Sequence, residues 1–106
     1  MTVCRLQVSV TYPKRPIAQR EAARIVRLGL AACGQVIGPI GSVYRWKGKI
    51  VKNTEFLCLF KTTKKIYPFL ERAVREKHPY EVPEIAAIPI VGGSRAYLDW
   101  IKKAVR

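Results

Sequence analysis

The segment from Cys4 to Tyr12 alternates strictly between apolar and polar residues. The apolar positions are Cys4, Leu6, Val8, Val10 and Tyr12, and Arg5, Gln7, Ser9 and Thr11 separate them. A period of two is typical of a β-strand in which one row of side chains is buried. The pattern therefore predicts a sheet strand with one apolar face, against which other elements must pack.

A helix is predicted after this strand. Pro13 and Pro16 interrupt the alternation, and Pro16 suits the first turn of a helix that runs to about Leu28 and is closed by Gly29. The helix has two contrasting faces: an apolar one made by Ala18, Ala22, Ile25 and Val26, and a predicted basic stripe made by Arg20, Arg24 and Arg27.

The middle of the chain predicts a long antiparallel hairpin. One strand covers Cys33 to Lys47, with a bulge or bend at Gly38-Pro39 and Gly41, and the other covers Ile50 to Thr62 after a short turn at Lys47-Gly48-Lys49. Residues 56–60 are apolar without alternation. A strand of this kind is buried on both faces, so the pattern predicts a cover on each side of the sheet.

Two helices and a strand are predicted in the last third. The first helix runs from Tyr67 to Lys77 and ends at His78-Pro79, because the residue before proline disfavours helical geometry. The strand covers Glu84 to Val91, and Pro89 favours an edge position. Ser94 is a suitable N-cap for a final short helix that folds back onto the domain through Tyr97, Leu98, Trp100 and Ile101.

The element order β-α-β-β-α-β-α predicts an α+β fold with the split, ferredoxin-like arrangement, a long central hairpin and a C-terminal helix, in one domain over residues 1–106. Two helices are expected to cover one face of a four-stranded sheet. We expect a partner subunit to cover the other face, since the third and fourth strands are apolar on both sides.

The charge balance is strongly basic. The chain has 106 residues with 20 Lys and Arg against 7 Asp and Glu, which gives a formal net charge of +13. A basic surface of this kind favours solubility or a polyanionic partner. One alternative function is therefore a basic ferredoxin-like module that binds nucleic acid through Phe56 and Phe60. Another is a module that binds a small anionic ligand at the basic hairpin tip, the turn Lys47-Gly48-Lys49. The nucleic-acid alternative is the weaker one because the motif of RNA-recognition domains is absent.

The apolar runs, the N-terminal residues and the cysteines indicate the cellular compartment. No apolar run is long enough to span a membrane, and the N-terminal residues do not resemble a signal peptide, so we expect a cytoplasmic protein without a membrane partner. Cys4, Cys33 and Cys58 are odd in number and contain no Cys-x-x-Cys pair. We expect all three to be small buried apolar residues, and neither a disulfide framework nor a thiolate zinc site.

Several blocks of residues occur in a characteristic order: Leu30-Ala31-Ala32-Cys33, Ser42-Val43-Tyr44-Arg45-Trp46 with Gly48-Lys49, Glu55 with Lys61-Thr62, His78-Pro79-Tyr80-Glu81-Val82-Pro83-Glu84, and Tyr97-Leu98-Asp99-Trp100. Together they resemble the CutA family of divalent-cation tolerance proteins over nearly the whole chain. The resemblance implies a homotrimer in which long hairpins wrap neighbouring subunits, similar to the trimer of PII-type signalling proteins. It also implies a role in tolerance of copper or other divalent metals, or in metal-linked signalling.

His78 is the only histidine and therefore the only imidazole candidate for a copper or other divalent metal site. In family members with suggested copper ligation, the site resembles a cysteine near the end of the first strand with histidines before the Pro-Tyr dipeptide. Val10 and Lys77 stand at two of those positions here. The other interpretation is that His78 ends a helix and forms local hydrogen bonds.

A site between subunits is the other candidate, with six residues: Tyr44, Trp46, Lys61, Tyr80, Glu84 and Trp100. Glu81 and Glu84 are not expected to converge, because residues three apart in an extended segment point to opposite faces. No Ser or Cys can be associated by spacing with His and an orienting carboxylate, so the sequence predicts a non-enzymatic protein.

Overall fold

The computed structural model describes residues 4–106, and its elements follow the predicted order. These are β1 (Arg5–Tyr12), α1 (Arg15–Arg27), β2 (Cys33–Trp46), β3 (Lys49–Thr63), α2 (Tyr67–Lys77), β4 (Ile85–Pro89) and α3 (Arg95–Ala104). The four strands form one sheet in the order β2-β3-β1-β4, and every neighbouring pair is antiparallel. The α+β, ferredoxin-like prediction is thereby confirmed.

The core lies between one face of the sheet and the helices α1 and α2. Even-numbered positions of β1 are buried there, as the alternation predicted, and Val8 is paired with Phe60 across the β1–β3 ladder. The core cluster comprises Val8, Val10, Tyr12, Ala18, Ala22, Ile25, Leu30, Ala31, Cys58, Phe60, Ile66, Leu70 and Val74.

The two packed helices are joined by an ion pair that corrects the predicted basic stripe. The Arg24 guanidinium donates to both carboxylate oxygens of Glu21, at 2.9 and 2.8 Å, and also to the Ala73 carbonyl oxygen on α2 at 2.7 Å. Glu21 is 4% exposed. The predicted basic stripe is therefore wrong for Arg24, whose guanidinium pairs with Glu21 between the helices. Arg20 and Arg27 are exposed.

The hairpin of β2 and β3 is bent where the sequence predicted. The β2–β3 register shifts between Ile37 and Ile40, and the intervening Gly38-Pro39 peptide is cis. At the tip, Lys47 and Gly48 have φ angles of 51° and 78°, which is the left-handed geometry of a tight two-residue hairpin turn. Residues 40–55, called here the hairpin arm, extend beyond the end of β1, whose pairing with β3 stops at Phe56.

The second face of the sheet is only partly covered. The helix α3 lies at one end of it, where the Arg5 guanidinium donates to the Leu98 carbonyl oxygen at 2.8 Å. Farther along, Leu57 and Leu59 are half-buried, and Ile37 and Ile88 are 46% and 56% exposed. The predicted burial on both faces is thus not reached within a single chain, and cover by a partner subunit stays a prediction.

Two predictions for the last third of the chain need correction. Strand β4 ends at Pro89 and not at Val91. Its ladder with β1 covers Ile85 to Pro89, and the next amide, that of Ile90, donates to the carbonyl oxygen of Arg5, the first residue of β1. In α3, Ser94 is the N-cap as predicted, but Tyr97 and Trp100 are 40% and 43% exposed. Such a short helix turns only a narrow stripe inward, so Ile101 is buried while the two aromatic rings stack on each other.

Only one cysteine is fully buried. Cys58 lies in the core, Cys33 is half-buried and Cys4 is exposed. Cys4 precedes β1, which begins at Arg5, so the sheet does not enclose its side chain. All three thiols are free.

Candidate functional site

A cavity of about 650 Å³ lies between the hairpin arm and the loop that joins α2 to β4. Its walls are formed by Thr11, Ser42, Val43, Tyr44, Trp46, Glu55, Pro79, Tyr80, Glu81, Val82, Pro83 and Glu84. Three of the chain's seven acidic residues are in this set, and it contains neither Lys nor Arg. The cavity therefore has acidic walls in a protein of net charge +13.

Glu55 is the carboxylate closest to the sheet. It lies on β3 opposite Ile40, directly after the register shift of the hairpin, and it is 6% exposed. The Tyr80 hydroxyl donates to its Oε2 atom at 2.9 Å. Within residues 4–106 no Lys or Arg forms an ion pair with it. Burying a carboxylate is unfavourable unless charge or hydrogen bonds compensate, and for Glu55 the described residues supply the Tyr80 hydrogen bond and no ion pair.

The opposite wall is the 79–84 loop, which two prolines shape. Pro79 and Pro83 fix the backbone around Tyr80, Glu81 and Val82, and none of these residues belongs to a helix or strand. Glu81 and Glu84 both line the cavity. The segment between α2 and β4 bends and is not a regular strand, and the expectation that the two side chains do not converge stays a prediction.

His78 anchors this loop to the sheet. The Tyr80 amide donates to Nδ1 at 3.1 Å, so the neutral ring carries its proton on Nε2, which donates to the Thr11 carbonyl oxygen at 2.7 Å. The ring also stacks on Tyr12, with the centroids 4.6 Å apart. His78 is the C-cap of α2 and forms the local hydrogen bonds that one interpretation of the sequence expected.

The first testable prediction concerns acid sensitivity. Burial lowers the pKa of His78 from its usual value, although the Thr11 carbonyl and the charges of Glu21 and Glu55 oppose the shift. The unfolded chain therefore binds a proton more readily, and stability is lost as pH falls below about 6.5. Protonation at Nδ1 removes the bond from the Tyr80 amide, which costs about 1 kcal/mol.

Urea unfolding at pH 7.5 and 5.5 measures this loss. His78→Gln is the matched control, since the chain then has no imidazole. The wild type should lose stability between the two pH values and the variant should lose less. Equal losses would contradict the role given to His78.

The electrostatics of the cavity favour positive charge. Partial burial, followed by the negative charge of Glu55, raises the pKa of Glu84. Burial and the Glu55 hydrogen bond likewise raise the pKa of the Tyr80 hydroxyl, which stays protonated and acts as a donor. A cation would relieve the repulsion between Glu55 and Glu84, whereas an anion would increase it.

Four of the six predicted cleft residues line this cavity: Tyr44, Trp46, Tyr80 and Glu84. Lys61 is instead buried on the sheet, where its Nζ atom donates to Gln35 at 3.0 Å, and Trp100 lies on α3. The sequence prediction omitted Glu55 and Glu81 from the site. For Glu55 the available signal was an acidic residue directly before the apolar run 56–60 of β3.

The structure places His78 apart from any ligand cluster. Among residues 4–106, no group of three or more His, Cys, Asp or Glu side chains is arranged to hold a metal ion. Both ring nitrogens of His78 are engaged in hydrogen bonds. A metal role for His78 stays a prediction that requires those bonds to break.

None of the helices in the described part of the chain is both long and apolar enough to cross a membrane.

Comparisons with known proteins agree with this fold over almost its full length. Residues 6–104 match the profile of a family described as CutA1 divalent ion tolerance protein. The divalent-cation tolerance protein CutA of Thermus thermophilus is 43% identical over 96 residues, which are 91% of this chain and 93% of that protein. A chloroplastic protein CutA of Arabidopsis thaliana is 41% identical over 99% of this chain, which spans 58% of the plant protein.

Among solved structures, CutA1 from Oryza sativa superposes with a TM-score of 0.94 at 39% identity, covering 99% of this chain and 96% of that one. Sequence profile, sequence identity and three-dimensional fold thus point to one assignment. The chain belongs to the CutA1 family of divalent ion tolerance proteins.

Proposed function

We propose that this protein acts in divalent-cation tolerance as a non-enzymatic homotrimer, and that the cavity beside the hairpin arm is its cation site. Glu55 is the observation that carries the proposal. It is 6% exposed, it faces a cavity, and Tyr80 is its hydrogen-bond donor in residues 4–106. A bound cation would compensate this buried charge.

The arrangement of the other carboxylates supports weak, exchangeable binding. Glu81 and Glu84 line the same cavity but do not converge with Glu55 on a preformed metal site. A divalent ion such as Cu²⁺ or Zn²⁺ would therefore be held with part of its water shell, as Mg²⁺ is in many proteins. Exchangeable binding of this kind suits a protein that buffers or senses cations.

The uncovered apolar surfaces support association into an oligomer, as the proposed trimer requires. Ile37 and Ile88 are exposed on the sheet, and the hairpin arm exposes Val43 and Ile50 to 65% and 59%. Apolar surface of this extent favours association between copies of the chain. The hairpin arm has no second neighbouring strand within its own chain, so it is free to pack on adjacent subunits.

The alternative of a nucleic-acid or anion-binding module finds less support. Phe60 is fully buried beneath the helices, and Phe56 is half-buried against the same core, so neither ring is available for base stacking. The lysines of the hairpin tip, where the anionic ligand was expected, are exposed and do not line the cavity. The three free thiols favour a reducing compartment, and we propose the cytoplasm, although the Arabidopsis relative is named chloroplastic.

Native mass spectrometry of the reduced protein, alone and with Cu²⁺ or Zn²⁺, tests the proposal. The expected result is a trimer that binds about one ion per subunit. Occupancy should fall in Glu55→Gln and persist in Glu71→Gln, which alters a carboxylate on α2 that pairs with Arg75. A monomer, or a trimer without metal, would overturn it. Loss in His78→Ala but not in Glu55→Gln would move the site to His78.

A second testable prediction separates binding from stability at Glu84. Its raised pKa means that the ionised carboxylate is less favourable in the folded chain than in the unfolded one. Glu84→Gln should therefore keep or slightly increase stability at pH 7, while cation affinity falls. The stability difference should vanish below about pH 4.5, where both side chains are neutral. Thermal unfolding across pH, together with metal titration, checks both effects. A variant that is less stable at pH 7 would contradict the account.

A further inference from the structure

The size and walls of the cavity suit a larger cation than a metal ion. Its volume of about 650 Å³ is within the range of small-molecule pockets, which is roughly 300–1,000 Å³. A site for a bare divalent ion needs donor atoms that converge at about 2.0–2.6 Å from one point. The residues that the structure describes include no such group.

Aromatic rings provide the second feature. Tyr44, Trp46 and Tyr80 line the cavity together with its carboxylates. The electron-rich face of an aromatic ring attracts alkylammonium groups, and aromatic walls combined with carboxylates are typical of sites that recognise them. Val43, Val82 and the two loop prolines add apolar surface that would contact the carbon atoms of such a ligand.

The chain itself shows one contact of this type. The ammonium group of Lys47 lies 5.7 Å from the centre of the Trp46 ring. Tyr44 and Tyr80 therefore remain for a bound cation, and the Tyr80 ring also packs at a tilt on the His78 ring, with the centroids 4.9 Å apart. The Tyr80 hydroxyl also donates a hydrogen bond to Glu55, which keeps the Tyr80 ring and the Glu55 carboxylate next to each other.

We propose that the cavity binds a small organic ammonium cation. The inference rests on the proposed cation site and specifies the chemical class of its ligand. Glu55 and Glu84 supply the negative charge, and Tyr44 and Tyr80 supply the ring faces. Neutral ligands of equal shape lose the charge interaction and should bind far more weakly.

The test uses the intact protein and Trp46 as a reporter. The chain has two tryptophans, and Trp100→Phe leaves only Trp46, which lines the cavity. Fluorescence is titrated in an amine-free buffer with choline, with its neutral isostere 3,3-dimethylbutan-1-ol, and separately with Zn²⁺. We expect choline to bind at least about tenfold more tightly than the neutral alcohol.

Two variants in the Trp100→Phe background locate the binding. Glu55→Gln should weaken choline binding about tenfold or more, whereas Glu71→Gln should leave it unchanged. Circular dichroism shows whether each variant folds, and Tyr44→Leu provides a second, independent loss of affinity if Glu55→Gln does not fold.

The outcomes for the two cations are separable. Binding of Zn²⁺ without choline overturns the inference and leaves the proposed function intact. Binding of choline without Zn²⁺ supports the inference and removes the metal from the proposed function. Equal binding of choline and the alcohol, or no effect of Glu55→Gln and Tyr44→Leu, overturns the inference.

Discussion

Phe60→Ala is expected to destabilise the fold by about 3–5 kcal/mol. The Phe60 side chain is fully buried at the centre of β3, between the sheet and α1. Packing around it is tight, because a Cβ atom added at Gly34 would lie 3.1 Å from the ring and 3.0 Å from the Ala22 methyl group. Removing the ring leaves a cavity that these close neighbours can refill only in part.

Urea unfolding at a fixed protein concentration measures this effect, since the stability of an oligomer depends on concentration. Phe69→Ala is the matched control, because that ring is on α2 and 48% exposed. The control should cost less than about 1 kcal/mol. A comparable loss in both variants would mean that the core between sheet and helices is not the source of stability.

Arg24→Ala is expected to cost a similar amount, about 3–5 kcal/mol. The substitution leaves the buried carboxylate of Glu21 without its two hydrogen bonds, and it removes the bond to Ala73 that joins α1 to α2. Hydrogen bonding to Glu21 raises the pKa of Arg24. The loss arises mainly from an unpaired buried charge.

Two further variants distinguish this cause from lost packing. Arg27→Ala, on the same helix but exposed, should be nearly neutral. Combining Arg24→Met with Glu21→Gln should recover much of the stability, because no charge is then buried alone. If the double variant is as unstable as Arg24→Ala, packing and not charge is responsible.

Elements whose first and last turns contain residues that start or stop a helix were the most predictable. Helix α2 has the predicted bounds, because Pro68 lies in its first turn and His78-Pro79 ends it. Strand β4 was overestimated because the apolar residues continue to Val91, whereas β1 begins at Arg5, which already accepts a hydrogen bond from the Ile90 amide. Composition indicates which residues can form a strand, whereas pairing decides where the strand ends.

The site was predictable only in part, because it depends on register and on a bent loop. The resemblance led to Tyr44, Tyr80 and Glu84, which the fold brings to one cavity. Glu55 reaches the same cavity through a register shift in the hairpin. Lys61, which lies farther along β3, is directed to the sheet surface instead. The register shift of the hairpin and the bent loop thus decide which charged side chains line the cavity.

A cation is expected to bind beside Glu55, between the hairpin arm and the 79–84 loop. Crystals soaked in Zn²⁺ or in tetramethylarsonium, an arsenic analogue of a quaternary ammonium ion, allow its position to be read from anomalous scattering. The account predicts a peak in the cavity next to Glu55 and Tyr80 for at least one of the two cations. Peaks confined to other surfaces, with the cavity holding only water, would contradict it.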